Sequence, residues 1–174
     1  MSIDASQRSN TSLTIVSYVC FTFIGYFVIG LSLAVLPIFI HQTLGFNTLI
    51  TGLVISLQYF STVLFRGYAG KIVDTKGPKI AVRYSMLIFI CSGIGLGLAY
   101  YMREYPLISL GLLVLTRLLT GGAEGLVGAS PINWAIMAVG PQHTAKAISF
   151  NGIASYGGMA IGAPLGLMLV HWES

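Results

Sequence analysis

Two ionisable residues stand within one long apolar stretch, in the run Arg117-Leu118-Leu119-Thr120-Gly121-Gly122-Ala123-Glu124-Gly125. A charged side chain at the centre of a bilayer costs about 2.5–3.5 kcal/mol on insertion scales, so two in a single span require a reason. Seven residues of α-helix return both side chains to nearly the same face, about 10.5 Å apart along the axis. They can share one polar space, yet each needs its own partner or water. Polar residues on other apolar stretches supply the candidates: Gln58, Tyr26, Asn151 and Tyr156. One use for such a cluster is to glue helices together. The other is chemistry, because desolvation favours the neutral form of a membrane carboxyl while a neighbouring cation favours the charged form, a tension that suits Glu124 to carrying a proton.

Two further patterns stand out. From Arg66 to Lys79 the chain is basic, with Asp74 the one acid among Arg66, Lys71, Lys76 and Lys79, and its glycines permit tight turns. It reads as a charged loop between two spans. Farther on, Gly158 and Gly162 stand in GxxxG spacing, followed by Pro164 and Gly166. Small residues every fourth position make a groove for another helix, and the proline adds a local bend. Enzymatic signatures are missing: the sequence has no G-x-S-x-G, no P-loop and no H-E-x-x-H. Cys20 and Cys91 lie apart in apolar stretches, which excludes a disulfide framework or a CxxC metal site. No cofactor or metal is expected, and no enzymatic activity.

The elements that must hold these residues follow from composition. Only 8% of the 174 residues are charged and 55% are hydrophobic, against roughly 25% charged in soluble domains. So much apolar surface needs the bilayer as its solvent. The net charge of +4 gathers in one connection, marking membrane topology rather than a nucleic-acid surface. After a polar tail over residues 1–12, five spans are expected at about 13–40, 48–66, 79–101, 106–139 and 147–170. The first exceeds the roughly 7–15 residues of a signal-peptide core. The fourth, about 50 Å long as continuous helix, must tilt, protrude or bend at Pro131. Arg8, Arg66, Lys71, Lys76, Lys79, Arg83 and Lys146 fall on one side and Arg103 on the other, so the amino terminus is expected in the cytoplasm of an inner-membrane protein.

The segment Gly70-Lys71-Ile72-Val73-Asp74-Thr75-Lys76-Gly77-Pro78-Lys79 resembles the signature between the second and third helices of the major facilitator superfamily, G-x-x-x-D-x-x-G-x-[RK], with Gly70, Asp74, Gly77 and Lys79 at its fixed positions. Thr75 departs from the arginine common there. Arg117 with Gly121 resembles the fourth-helix motif R-x-x-x-G, and Gly158 to Gly166 is similar to the fifth-helix antiporter motif, with Pro164 one place late. Together with Gly30-Leu31, Leu36-Pro37 and Gly140-Pro141 these resemble bacterial arabinose-efflux-like permeases.

The resemblance implies an all-α membrane protein, here five transmembrane helices of an amino-terminal six-helix bundle that works against a carboxyl-terminal half absent from this chain. It implies transport of a small solute by alternating access, as proton-coupled efflux, with Asp74 as a cytoplasmic gate residue and Arg117 in proton coupling and substrate binding. The implied partners are a small solute, protons, the lipid bilayer and the missing half. Uptake by a symporter or facilitator is one alternative. A non-transporting membrane scaffold is another.

Overall fold

The computed structural model describes residues 2–172, with side chains for residues 10–170. Met1, Glu173 and Ser174 lie outside the described residues, as do the side chains of Arg8, counted above for topology, and His171. Among the described residues the chain forms α1 (Ser2–Ile38), α2 (Thr48–Lys76), α3 (Pro78–Tyr101), α4 (Pro106–Val127), α5 (Ser130–Val139) and α6 (Thr144–Trp172), with no strands. Five stretches of these are long and apolar enough to cross a membrane: Asn10–Thr43, Thr48–Lys76, Pro78–Tyr101, Pro106–Val139 and Pro141–Val170. The protein is an all-α, multi-pass membrane protein.

The helix boundaries differ from the sequence expectation where local chemistry decides them. The first span starts within a longer helix, because no glycine or proline interrupts the chain from Ser2 until Gly25. After Pro37, which cannot donate to the preceding turn, the helix loosens into a π turn over Phe39–Thr43. Asn47 caps α2 by accepting from the Ile50 amide at 2.9 Å.

The second span was expected to end near residue 66, yet α2 continues for 29 residues to Lys76. At about 43 Å it outruns a ~30 Å hydrocarbon layer. The supposed loop from Arg66 is therefore mostly helix, and Gly67 and Gly70 turn nothing. The chain reverses at Gly77, whose φ of 86° and ψ of 157° belong to a region open essentially to glycine alone. Pro78 then opens α3.

The fourth span divides in two. Pro131 has no N–H to offer the Val127 carbonyl four residues back, and the helix breaks at Gly128 and Ala129, just ahead of the proline. Ser130 compensates in part by donating its hydroxyl to the Leu126 carbonyl at 2.5 Å.

Packing sorts the helices into two groups. α6 lies against α1, and α4 lies against both α2 and α3, while the contacts between α1 and the α2–α4 group are sparser. Gly158, Gly162 and Gly166 turn the same face of α6 to α1. A Cβ at Gly158 would sit 2.6 Å from the Phe23 carbonyl oxygen, one at Gly166 2.6 Å from that of Leu31, and one at Gly162 would strike the Phe27 carbonyl oxygen. Gly30 of α1 answers them by meeting Met159. Pro164 points elsewhere and is exposed, so it takes no part in that groove.

Hydrogen bonds supplement close packing in the other group, where water is not available to compete. Ser61 of α2 donates to the Leu118 carbonyl of α4 at 2.7 Å, and Ser109 of α4 donates to the Ala99 carbonyl of α3 at 2.8 Å. Ser92 of α3 meets the Thr120 hydroxyl at 2.7 Å. Large apolar side chains such as Leu53, Phe60, Leu87, Ile94 and Leu115 remain exposed on the outside, as a lipid-solvated surface requires.

Candidate functional site: a buried polar network between three helices

The ionisable pair of α4 faces inward. Arg117 is fully buried at 0% exposure, and Glu124, two turns on, is partly buried. They do not meet directly. Gln58 of α2, itself at 0% exposure, stands between them: its Oε1 accepts from Arg117 Nη1 at 2.9 Å, and its Nε2 donates to Glu124 Oε2 at 3.0 Å. Separation of about 10.5 Å along the helix axis is thus spanned by one amide whose two ends have opposite hydrogen-bonding character.

Local packing explains why Gln58 reaches that position. Gly121 lies between Arg117 and Glu124 on α4, and a Cβ there would collide with the Gln58 carbonyl oxygen and come within 2.6 Å of Ser61 Cβ. Only glycine lets α4 approach the α2 backbone this closely. The Ser61–Leu118 hydrogen bond holds the approach one turn away.

The network extends at both ends. Arg117 Nη1 also donates to Ser32 Oγ of α1 at 3.2 Å, and Ser32 in turn donates to the Ile29 carbonyl at 3.0 Å. At the other end the Thr62 hydroxyl lies 3.1 Å from Glu124 Oε2 and 3.0 Å from the Gln58 carbonyl, so it can donate to either. Arg117 Nε is buried and meets no acceptor among the described residues. Ser32 further borders a cleft of about 860 Å³ between α1, α3 and α6, whose walls are mainly apolar and whose lining includes Arg103.

The sequence candidates divide accordingly. Gln58 joins Arg117 and Glu124. Tyr26 of α1 lies within electrostatic reach of Glu124, Arg66 and Tyr156. Asn151, expected as a partner of the charged pair, is instead engaged by Thr22, whose hydroxyl donates to Asn151 Oδ1 at 2.8 Å. The glycine groove brings α6 so close to α1 that Asn151 finds its partner there. Tyr156 is 77% exposed and is not bonded to the pair. Ser32 and Thr62 escaped the sequence reading, since a hydroxyl inside an apolar span carries no spacing signal and usually serves its own helix.

The signature around Asp74 sits at the far end of the bundle from this network. Asp74, Lys71, Lys76 and Lys79 are exposed there, with Lys76 Nζ 5.5 Å from the centre of the Tyr84 ring. Gly77 makes the turn. Gly70 is helical and would admit a Cβ without contact. No group of His, Cys, Asp or Glu able to hold a metal occurs among the described residues.

An apolar five-span bundle with this buried pair and an Asp74 signature at a helix turn matches a known family. The family model described as Major Facilitator Superfamily aligns with residues 18–174. This chain belongs to the Major Facilitator Superfamily. It is similar to a protein named "Uncharacterized MFS-type transporter" from Pseudomonas aeruginosa (strain LESB58), 53% identical over 156 residues, which cover 90% of this chain and 39% of that relative. A like-named transporter of Burkholderia mallei (strain SAVP1) is 49% identical over 161 residues, 92% of this chain and 40% of the relative. The chain therefore spans about two fifths of the length of these facilitator relatives. No solved structure matches it.

Proposed function

We propose that this chain forms the amino-terminal part of a facilitator that moves a small solute across a bacterial inner membrane by alternating access, exporting it in exchange for protons. The observation that carries this reading is the Arg117–Gln58–Glu124 network, three hydrogen-bonding side chains held inside an apolar bundle at a cost that a purely structural role does not require. Glu124 is the proton site, and Arg117 balances its charge through Gln58. The Asp74 end of α2 closes the cytoplasmic gate against an opposing bundle, in the manner of transporters whose halves rock about a midplane site. Basic residues at the α2–α3 turn, with Lys146 donating to Ser12 at 2.6 Å at the same end, support a cytoplasmic amino terminus.

The test is proton-driven flux by the complete transporter in proteoliposomes. Glu124→Gln is expected to abolish pH-driven transport while leaving insertion intact. If that variant keeps the wild-type pH dependence, the proton-site assignment is wrong. Export and uptake are separated by the direction in which an imposed proton gradient drives the solute. Without an opposing bundle the five-span chain is expected to carry no flux.

A further inference from the structure

We propose that Gln58 is a positioning residue that couples the protonation state of Glu124 to the contact between Arg117 and Ser32, and through it to the fit of α1 and α6 against α2, α3 and α4. The inference rests on the proton-site reading of Glu124 and adds the element that transmits its state.

A guanidinium can only donate hydrogen bonds and a carboxylate can only accept them. An amide between the two has one satisfactory orientation, with oxygen to Arg117 and nitrogen to Glu124, and this is the one observed at 2.9 and 3.0 Å. At 0% exposure Gln58 has no bulk water to turn to. The same amide dipole also lies favourably between a cation and an anion. When Glu124 takes up a proton on Oε2, the acceptor that faces Gln58 Nε2 gains an O–H, and only the Arg117 end still holds the amide in its orientation. The Gln58 acceptor of Arg117 Nη1 is then anchored at one end instead of two, and the guanidinium leans more on its other Nη1 contact, Ser32.

Ser32 matters because of where it lies. It is on α1, across the sparse boundary between the α1–α6 pair and the α2–α4 group. A change at Arg117 Nη1 is therefore felt at the seam between two well-packed units, and such seams move more readily than the units themselves. Tyr26 of α1 is within electrostatic reach of Glu124, and Tyr26 is in turn within reach of Arg66 of α2 and Tyr156 of α6. Among the described residues, however, Gln58 alone bonds to both Glu124 and Arg117.

The native cysteines suit the experiment. Cys20 lies on α1 and Cys91 on α3, one in each group, and both are exposed and free. Spin labels on these two positions report the separation of the groups for the chain in lipid nanodiscs, by electron–electron double resonance over acidic to alkaline pH. The wild type is expected to shift its distance distribution with pH, and Glu124→Gln to hold the acid-side distribution throughout. Gln58→Met, close in shape but without the amide, is expected to lose the shift while keeping the wild-type helix content. Gln58→Glu keeps an acceptor for Arg117 but replaces the donor facing Glu124, and its pH dependence is expected to depart from the wild type's. Should Gln58→Met fail to insert, Gln58→Glu decides. A wild type that ignores pH refutes the proton-site reading and this inference with it. A wild type that responds, with Glu124→Gln fixed and the inserted Gln58 variants titrating like the wild type, overturns the role of Gln58 alone.

Discussion

Adding one methyl group at Gly162 is expected to push α6 off α1. The Cβ of an alanine there would strike the Phe27 carbonyl oxygen and stand 3.0 Å from the Leu31 amide nitrogen. Both are backbone atoms, so no side-chain rotation relieves the clash and the two helices must part. Gly158 and Gly166, one turn to either side, make the same approach to Phe23 and Leu31 and lose their contacts together with it. Overpacking of this kind costs about 1–3 kcal/mol. Gly157 supplies the control, since a Cβ there meets nothing within 4 Å. Alanine at 157 should therefore keep the helix-propensity gain of about 0.8–1 kcal/mol over glycine. Unfolding of the chain by titration with dodecyl sulfate in mixed micelles should place Gly162→Ala below Gly157→Ala by about 1–3 kcal/mol. Equal stability of the two variants would show that the α1–α6 contact does not depend on backbone approach, and the packing argument would fall.

Other consequences are as direct. Ser61→Ala removes the hydrogen bond to the Leu118 carbonyl and should cost about 0.5–2 kcal/mol by the same unfolding titration. Gly77→Ala meets no neighbour but must adopt φ 86°, so it should lose about 1–3 kcal/mol of stability from strain alone. In a chain with Cys20 and Cys91 replaced by serine, a cysteine at Arg103 should react with a membrane-impermeant maleimide added outside intact cells. A cysteine at Lys79 should react only after the cells are opened. The reverse pattern would invert the proposed topology.

Much of this protein was determined by sequence alone. A chain with 8% charged residues cannot satisfy its apolar surface in water, so spans and their number follow from the lengths of the apolar runs, and prolines at 78 and 106 open helices because their missing N–H is harmless in a first turn. The isolation of Arg117 and Glu124 in an apolar run likewise marked the helix that carries the buried polar network, since an ionisable residue at that depth faces the bundle interior and takes partners there. The reach of α2 to Lys76 was not legible, because glycine-rich basic segments turn or stay helical according to what they pack against. Tertiary structure alone decided the partners. Asn151 and Gln58 look equally suitable as lone polar residues in apolar helices, yet Asn151 is taken by Thr22 while Gln58 bridges the charges. The glycines made that difference. Gly121 brings α4 onto the α2 backbone at Gln58, and Gly158, Gly162 and Gly166 bring α6 onto α1. Helix periodicity gives the face a side chain occupies, but the helix that face meets depends on interaxial distance, which is set by small residues acting in concert across two helices.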